Sequence, residues 1–565
     1  MAASTRSLNR GLAALGAVAL VSVGVLTLGS TPTYAADQTF EVTEPVTSLP
    51  PQPGELGWAI EQANATAGKD TIDIQTSAIQ LGSNLPTITD DVTILGNGAT
   101  IDGYFWSYSA FAITAASAEI SNIEVVQPNS AGVYAAPDSG DTIVLSAVDV
   151  TNASSYPGIS IYPTQDSIVR VAEGTLLNNN IGLEISGWGG GTVEITGTRI
   201  DASRAYGVTV TASSDTRVTI DSSEVIGDAT SNSGINAELY GNALLAVRAT
   251  TVSAHGTSGL NAMVYGDAEL ELAAGTVLSN NAQQGAYVYA SGSVLFDETT
   301  VADNGFDDDS AGIDIDRLYD DGSATISRST ISNNAGDGVV ARIVDDSALD
   351  IGNSTISGNY RNGIDVESEG TFLLRHSTLA KNNGGGIRLL NDDEQASISH
   401  TIVAANERRQ QESDLAVYGA NVTLEWSVVG TFSDDGAPST PALVEGPGVQ
   451  WDVLDPRIEA LTDNGGRTLT HRLGDTSPAL DAGNASIANA STTDQRALPR
   501  IVGSRIDIGA VEIQLETDAS SASPAALLPA TGREIEWPIQ LFTGLLACGI
   551  GLLGLDRVRR QPAKS

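Results

Sequence analysis

Two tyrosines, two arginines and four carboxylates recur at one position of a repeated pattern, and they hold the best prospect of chemistry in the chain. They form the pairs Tyr287/Tyr289, Asp314/Asp316, Val340/Arg342, Asp365/Glu367 and Arg388/Leu390, each pair separated by one apolar residue. Such alternation is that of a strand with one buried face, so the paired residues point outward. If the strands stack in register, Asp314 and Asp365 lie two strands apart, about 9.6 Å. That is the upper edge of the roughly 6.5–9.5 Å that separates the carboxyl groups of an inverting glycosidase. Arg342, between Asp316 and Glu367, suits the carboxylate of an acidic sugar. The same residues also read as a ladder of alternating charge, whose neighbours stabilise a sheet by about 0.2–1 kcal/mol each. No catalytic residue is assigned. The ligand-binding candidates are Tyr287, Tyr289, Asp314, Asp316, Arg342, Asp365, Glu367, Arg388 and Trp106. Trp106 belongs to the aromatic run Tyr104–Tyr108, which either stacks on sugars or folds against the neighbouring strands.

What positions these residues is a repeat. Ser329-Thr330-Ile331-Ser332-Asn333-Asn334 returns as Ser354-Thr355-Ile356-Ser357-Gly358-Asn359 and as Ser377-Thr378-Leu379-Ala380-Lys381-Asn382. An aliphatic marker recurs at Ile123, Val150, Leu176, Ile200, Val225, Val252, Val277, Val301, Ile331, Ile356, Leu379 and Ile402, in steps of 23 to 30 residues. A Gly marker runs in phase with it from Gly132 to Gly386. Two markers in phase over this length define a repeat architecture.

A unit of this length holds three short strands and three turns, with no room for a helix of its own. Asn and Gly sit where a turn must visit the left-handed region, and stacked Asn side chains can hydrogen-bond from coil to coil. The pattern predicts an all-β, single-stranded parallel β-helix of about 12–16 coils. A string of β-sandwiches fits less well, because a sandwich has no reason to repeat at this interval. Leu56, Ala59, Ile60 and Ala63 make the apolar stripe of a short helix, placed to cover the open strand edges at the N-terminal end. The run Glu55–Ala65 resembles the start of secreted bacterial proteins of the pectate-lyase-like superfamily, which implies the right-handed form. The short motifs of polygalacturonases and pectate lyases are absent, and none of His255, His376, His400 and His471 lies in one.

With Lys+Arg 28 against Asp+Glu 69, the net charge is −41, which opposes a nucleic-acid partner. Acidity instead favours solubility, divalent cations or basic partners. The largest marker step contains Asp307, Asp308, Asp309, Asp320 and Asp321. These could hold calcium, although they lack a regular calcium-loop spacing and a solvated acidic loop is the favoured reading; no other cofactor is expected. The single cysteine, Cys548, leaves stability to stacking rather than disulfides.

The two ends give an address. Arg6 and Arg10 precede an apolar run from Gly11 to Leu28, and small residues lead to Ala35. This is an export signal cleaved after Ala35. Toward the other end, Asp455-Pro456-Arg457, Thr493-Asp494-Gln495-Arg496, Leu498-Pro499-Arg500 and Asp507–Glu512 resemble the C-terminal region of the choice-of-anchor Q β-helix proteins. His471 and Asp481 in this region read as parts of a C-terminal cap. A Ser/Ala-rich linker, Leu528-Pro529-Ala530-Thr531-Gly532, an apolar span 537–555 and a basic tail follow. That order resembles the sortase sorting signal of Gram-positive bacteria. The resemblance implies cleavage between Thr531 and Gly532 by a sortase, and covalent transfer of Thr531 to a peptidoglycan precursor.

The domains are therefore 1–35 signal peptide, 36–54 extension, 55–410 β-helix, 411–515 terminal coils and cap, 516–527 linker, and 528–565 sorting signal. The expected protein is a monomeric, exported, cell-wall-attached rod that binds carbohydrate or acts as an adhesin without catalysis. A wall-tethered polysaccharide lyase or glycoside hydrolase, and an acidic cation-binding stalk, are the alternatives.

Overall fold

A computed structural model describes residues 37–514, apart from 104–108, 115, 202, 307–309, 392–395, 408–412, 420, 435–442 and 485–492. Three ladders of parallel strands run through it. The strand that follows each Gly marker forms a ladder of 14 strands, from Phe111–Thr114 to Phe432–Asp434. A middle strand and a short strand complete each coil. These two ladders join into one sheet because Val92–Asp102, Ala118–Val126 and Thr142–Thr151 run through both. This is the parallel β-helix that the periodicity predicts.

The Gly markers stay in register throughout. Ile313 pairs with Val339, Val339 with Ile364 and Ile364 with Ile387, each one residue beyond its Gly. Glycine is required because the coils nearly touch there. A Cβ on Gly338 would stand 2.6 Å from the carbonyl oxygen of Gly363. The aliphatic markers need three corrections. Val125, Leu278 and Val403 occupy the marker column, not Ile123, Val277 and Ile402. In each case two aliphatics lie within two positions of one another, and spacing alone cannot choose between them.

Inside each turn an Asn is stacked on the next. Asn281, Asn304, Asn334, Asn359 and Asn382 each donate from Nδ2 to the side-chain oxygen of the Asn in the following coil, at 2.9 to 3.0 Å, and Asn406 donates to Asp414 in its own turn at 2.8 Å. The same oxygen accepts the backbone N–H of the preceding Asn, as Asn359 Oδ1 does from Asn334. The series ends on Asp414, a carboxylate that accepts without having to donate onward. Ahead of each Asn is a left-handed residue: Asn280, Asp303, Asn333, Gly358, Lys381 and Ala405. His255 takes the place of an Asn one coil earlier. Its backbone N–H reaches Asn281 Oδ1, and its Nε2 lies 3.3 Å from the Val225 carbonyl. Ser and Thr form a parallel series, in which the N–H of Thr299 reaches Ser329 Oγ, that of Ser329 reaches Ser354 Oγ, and that of Ser354 reaches Ser377 Oγ.

The helix Leu56–Ala65 buries Leu56, Gly57, Ala59, Ile60 and Ala63 and packs on the first strands, as the stripe predicts. Thr39–Val42 lies within the stretch read as an extension, yet it pairs with Asp70–Ile74 and belongs to the ladder. The region read as a C-terminal cap lies along a flank. A hairpin of Ile458–Thr462 and Thr470–Leu473, followed by residues 493–513, covers the short-strand ladder. Where it docks, the short strands are buried at all three positions, as in Thr330–Ser332 and Thr355–Ser357. Where it does not, as in Thr251–Ser253, only the middle residue is buried. The motifs of this region are its docking contacts. Gln495 Nε2 donates to the Ser329 carbonyl at 3.1 Å, and Thr355 Oγ1 donates to Gln495 Oε1 at 2.6 Å. Arg500, 1% exposed, donates to Asn353 Oδ1 and to the Gly509 and Ala510 carbonyls. No helix among the described residues is long and apolar enough to cross a membrane; the expected span 537–555 lies outside them.

Replacing Asn359 by Ala removes four hydrogen bonds to neighbouring coils and orphans the buried backbone N–H of Asn334. Such a loss costs about 1–3 kcal/mol, so the urea midpoint of Asn359→Ala falls accordingly. An unchanged midpoint contradicts the ladder.

Candidate functional site

The outward side of the Gly-strand ladder carries the candidates. Tyr287 lies in register with Asp314, Asp314 with Val340, Val340 with Asp365 and Asp365 with Arg388. The second column is broken by a β-bulge. Tyr289 pairs with Arg317 rather than Asp316, and the register slips again between Ile315 and Leu318 toward the next strand. A bulge places two residues opposite one, so Asp316 and Arg317 share one place. Strict alternation therefore missed Arg317.

The bulge displaces Asp316 from the expected charge ladder Asp316–Arg342–Glu367, while Arg342 and Glu367 stand in register as expected without forming an ion pair. Among the described residues Arg342, Arg317 and Glu367 make no ion pair, and all three are exposed. Asp365 instead receives a hydrogen bond from Arg388 Nη1 at 2.8 Å, and the Arg388 guanidinium lies over the Tyr418 ring. Arg342 reaches neither of the carboxylates assigned to it.

Asp314, Asp316 and Tyr287 form a coupled group. Burial, reinforced by the charge of Asp316, pushes Asp314 up to about 6, against a hydrogen bond from Gln284 that opposes the shift. Burial also pushes the Tyr287 phenol up to about 12, helped by the charge of Asp316, a hydrogen bond to Asp316 and the charge of Asp314. A half-protonated carboxyl beside an ionised one can hold and deliver a proton. Among the described residues the second carboxylate expected opposite it, Asp365, is ion-paired with Arg388.

Aromatic rings form a row the sequence reading did not anticipate. Trp188 stacks on Tyr240 at 6.5 Å, Tyr240 on Tyr265 at 5.0 Å, and Tyr289 leans on Tyr319 at 4.9 Å. Trp188, Tyr240, Tyr265 and Tyr319 lie at or beyond the strand ends, where the alternating pattern stops. Rings stacked on one another cover their own faces, so the row is mainly structural; Trp188, 62% exposed, keeps a free face.

The other expectations resolve as follows. Trp106 and Asp307–Asp309 lie outside the described residues. Asp320 and Asp321 form a left-handed turn, and among the described residues no three His, Cys, Asp or Glu side chains converge as a metal would require. His471 is 3% exposed, with Nε2 2.8 Å from Ser357 Oγ and Nδ1 2.7 Å from the Glu459 carbonyl. This has the hydrogen-bond order of an activated serine. Ser357 is only 2% exposed beneath the C-terminal segment, so the pair is a docking contact.

Asp316→Asn removes a charge and an acceptor from this group. Both Asp314 and the Tyr287 phenol then titrate lower than in the parent, though burial still holds them above their ordinary values. Carbon-13 NMR of the Asp314 carboxyl and ultraviolet titration of tyrosine measure the two shifts; unchanged titrations contradict the coupling.

Residues 229–403 match the family model of the right handed beta helix region. No curated protein matches the chain. Among solved structures, the periplasmic alginate epimerase AlgG is 12% identical over 62% of this chain and 77% of its own, with a TM-score of 0.34. The A-module of the Azotobacter vinelandii mannuronan C-5 epimerase AlgE6 is 13% identical over 69% and 94%, with a TM-score of 0.31. Pectate lyase Pel9A is 12% identical over 85% and 98%, with a TM-score of 0.25. The coils described above are those of a right-handed parallel β-helix.

Proposed function

We propose that this chain is an exported surface protein whose Gly-strand face binds polysaccharide without cleaving it. One contrast carries the reading. On the middle ladder four arginines are held in ion pairs from one coil to the next: Arg170 with Glu194 at 2.6 Å, Arg248 with Glu271 at 2.8 Å, Arg328 with Asp297, and Arg375 with Asp350; Arg217 and Glu269 there make none among the described residues. On the Gly-strand ladder Arg388 pairs with Asp365, while Arg317, Arg342 and Glu367 make no ion pair among the described residues, although Arg342 and Glu367 stand in register. These exposed groups, on the face that also carries Tyr287 and Asp316, are available to a ligand rich in hydroxyls.

The catalytic alternative rests on Asp314, whose raised carboxyl suits a general acid. Binding is preferred because Asp365, the carboxylate expected opposite it, is ion-paired with Arg388. The address rests on sequence alone: export through residues 1–35 and sortase attachment through Thr531 follow from the order of signals at the two ends.

Affinity electrophoresis against a panel of soluble polysaccharides tests the binding. Retardation by at least one polysaccharide is expected. Arg317→Ala combined with Arg342→Ala weakens it, whereas Arg248→Ala on the middle ladder does not. Accumulation of new reducing ends, or of the ultraviolet absorbance of unsaturated uronates, would favour the enzyme instead. For the address, wall fragments released by muralytic digestion should yield a C-terminal peptide ending at Thr531 linked to a peptidoglycan amine. A chain retaining Gly532 would contradict attachment.

A further inference from the structure

Beside the charged group, on the same face, lies a depression of about 390 Å³ lined by Tyr206, Asn232, Asn261, Gln283, Gln284 and Tyr287 together with small hydroxyl side chains. It spans four successive coils, three steps or about 14 Å at the spacing of parallel strands. Its lining contains no charged side chain, in a chain whose net charge is −41.

The lining is held by its own hydrogen bonds. Ser258 Oγ donates to Gln284 Oε1 at 3.1 Å, and Gln284 Nε2 donates to Asp314 Oδ2 at 3.4 Å. Asn261 Nδ2 donates to Asn236 Oδ1 at 2.7 Å, and the hydroxyls of Ser233 and Thr257 lie 3.0 Å apart. These bonds fix the walls and leave the rim open. The carboxamides of Asn232 and Gln283 are exposed and make no hydrogen bond among the described residues. A carboxamide both donates and accepts, which matches a pair of neighbouring sugar hydroxyls. A carboxylate, sulfate or phosphate would instead require a cation, and the groove offers none.

The two ends are aromatic. Tyr206 and Tyr287 stand three coils apart, and among the described residues neither ring stacks on another aromatic. They differ in this from Tyr240 and Tyr265, whose faces cover each other. Half-buried rings at both ends of a polar trough, not stacked on other aromatics among the described residues, can pack their exposed parts against the C–H faces of pyranose rings, while the carboxamides between them read the hydroxyls. One pyranose ring is about as long as one coil is tall.

We infer that this groove is a subsite for an uncharged saccharide segment lying parallel to the stack of coils, at about one pyranose unit per coil. The inference rests on the polysaccharide-binding reading and narrows it: the neutral groove takes the uncharged stretch of the chain, and Arg317 and Arg342 lie beyond it.

Titration calorimetry of the full chain with xylotriose, cellotriose and mannotriose, and with trigalacturonate as the charged counterpart, tests it. At least one neutral trisaccharide is expected to bind with an affinity unchanged by added salt. Tyr206→Ala weakens that binding roughly tenfold, while Tyr206→Phe, which keeps the ring, retains it; a thermal melt shows that both variants are folded. Neutral binding that survives Tyr206→Ala but is lost in the Arg317→Ala, Arg342→Ala double variant places the sugar elsewhere on the face. That result overturns the groove and leaves the polysaccharide reading standing, as does binding of trigalacturonate alone. Binding of none of the four, together with no retardation by any polysaccharide, overturns both.

Discussion

Everything in this protein depends on coils that stack at the spacing of parallel strands with no room between them. At the Gly markers the backbones approach so closely that a methyl group would meet the next carbonyl. A few residues away, each Asn side chain completes the hydrogen bonding of two coils at once. An amide can do this because it donates and accepts; a serine or an aspartate can do only part of it. That limits where substitutions fit. Asp closes the series at Asp414, where no further donor is needed. His255 serves one coil earlier because an imidazole with a proton on one nitrogen can imitate the donating half of the amide. Burial lowers its titration to about 4 and so keeps it neutral.

Once stacking is fixed by the interior, the three outer faces are free to differ. The middle ladder holds four arginines in coil-to-coil pairs. The short-strand face is sealed over part of its length by the C-terminal segment, whose Gln495 and Arg500 insert into it. The Gly-strand face has the ion pair of Asp365 and Arg388, and it carries both the coupled group around Asp314 and the uncharged groove. Function is assigned there because that group, the groove and the exposed Arg317 and Arg342 lie on one face.

Much of this was legible in the sequence. The period, the Gly column, the outward positions of Tyr287, Asp314 and Asp365, the stacked Asn and the capping helix all follow from local spacing. What escaped did so for identifiable reasons. The bulge at Asp316 and Arg317 inserts one residue without changing the alternation around it, so Arg317 went unseen and Asp316 was aligned with Arg342, a register it does not keep. The row from Trp188 to Tyr319 keeps the period of the coils, but most of its members sit just past the strand ends, outside the alternation that was followed. The docking of Gln495 on Ser329 and Thr355 joins residues some 140 to 166 positions apart, and no periodic signal spans that distance. The groove was missed because Asn, Gln, Ser and Thr carry no charge pattern to follow; the lack of charge is its signature.

The most direct test of the account is oxidative footprinting of the full chain with and without a polysaccharide that retards it. Tyrosine and tryptophan are labelled readily, and they occur on more than one face. Protection confined to Tyr206, Tyr287 and their neighbours on the Gly-strand ladder is the predicted result. Protection of Trp58 in the capping helix and of Trp426 beside the middle ladder instead, with Tyr206 and Tyr287 labelled as before, would place the ligand away from that face and contradict the assignment.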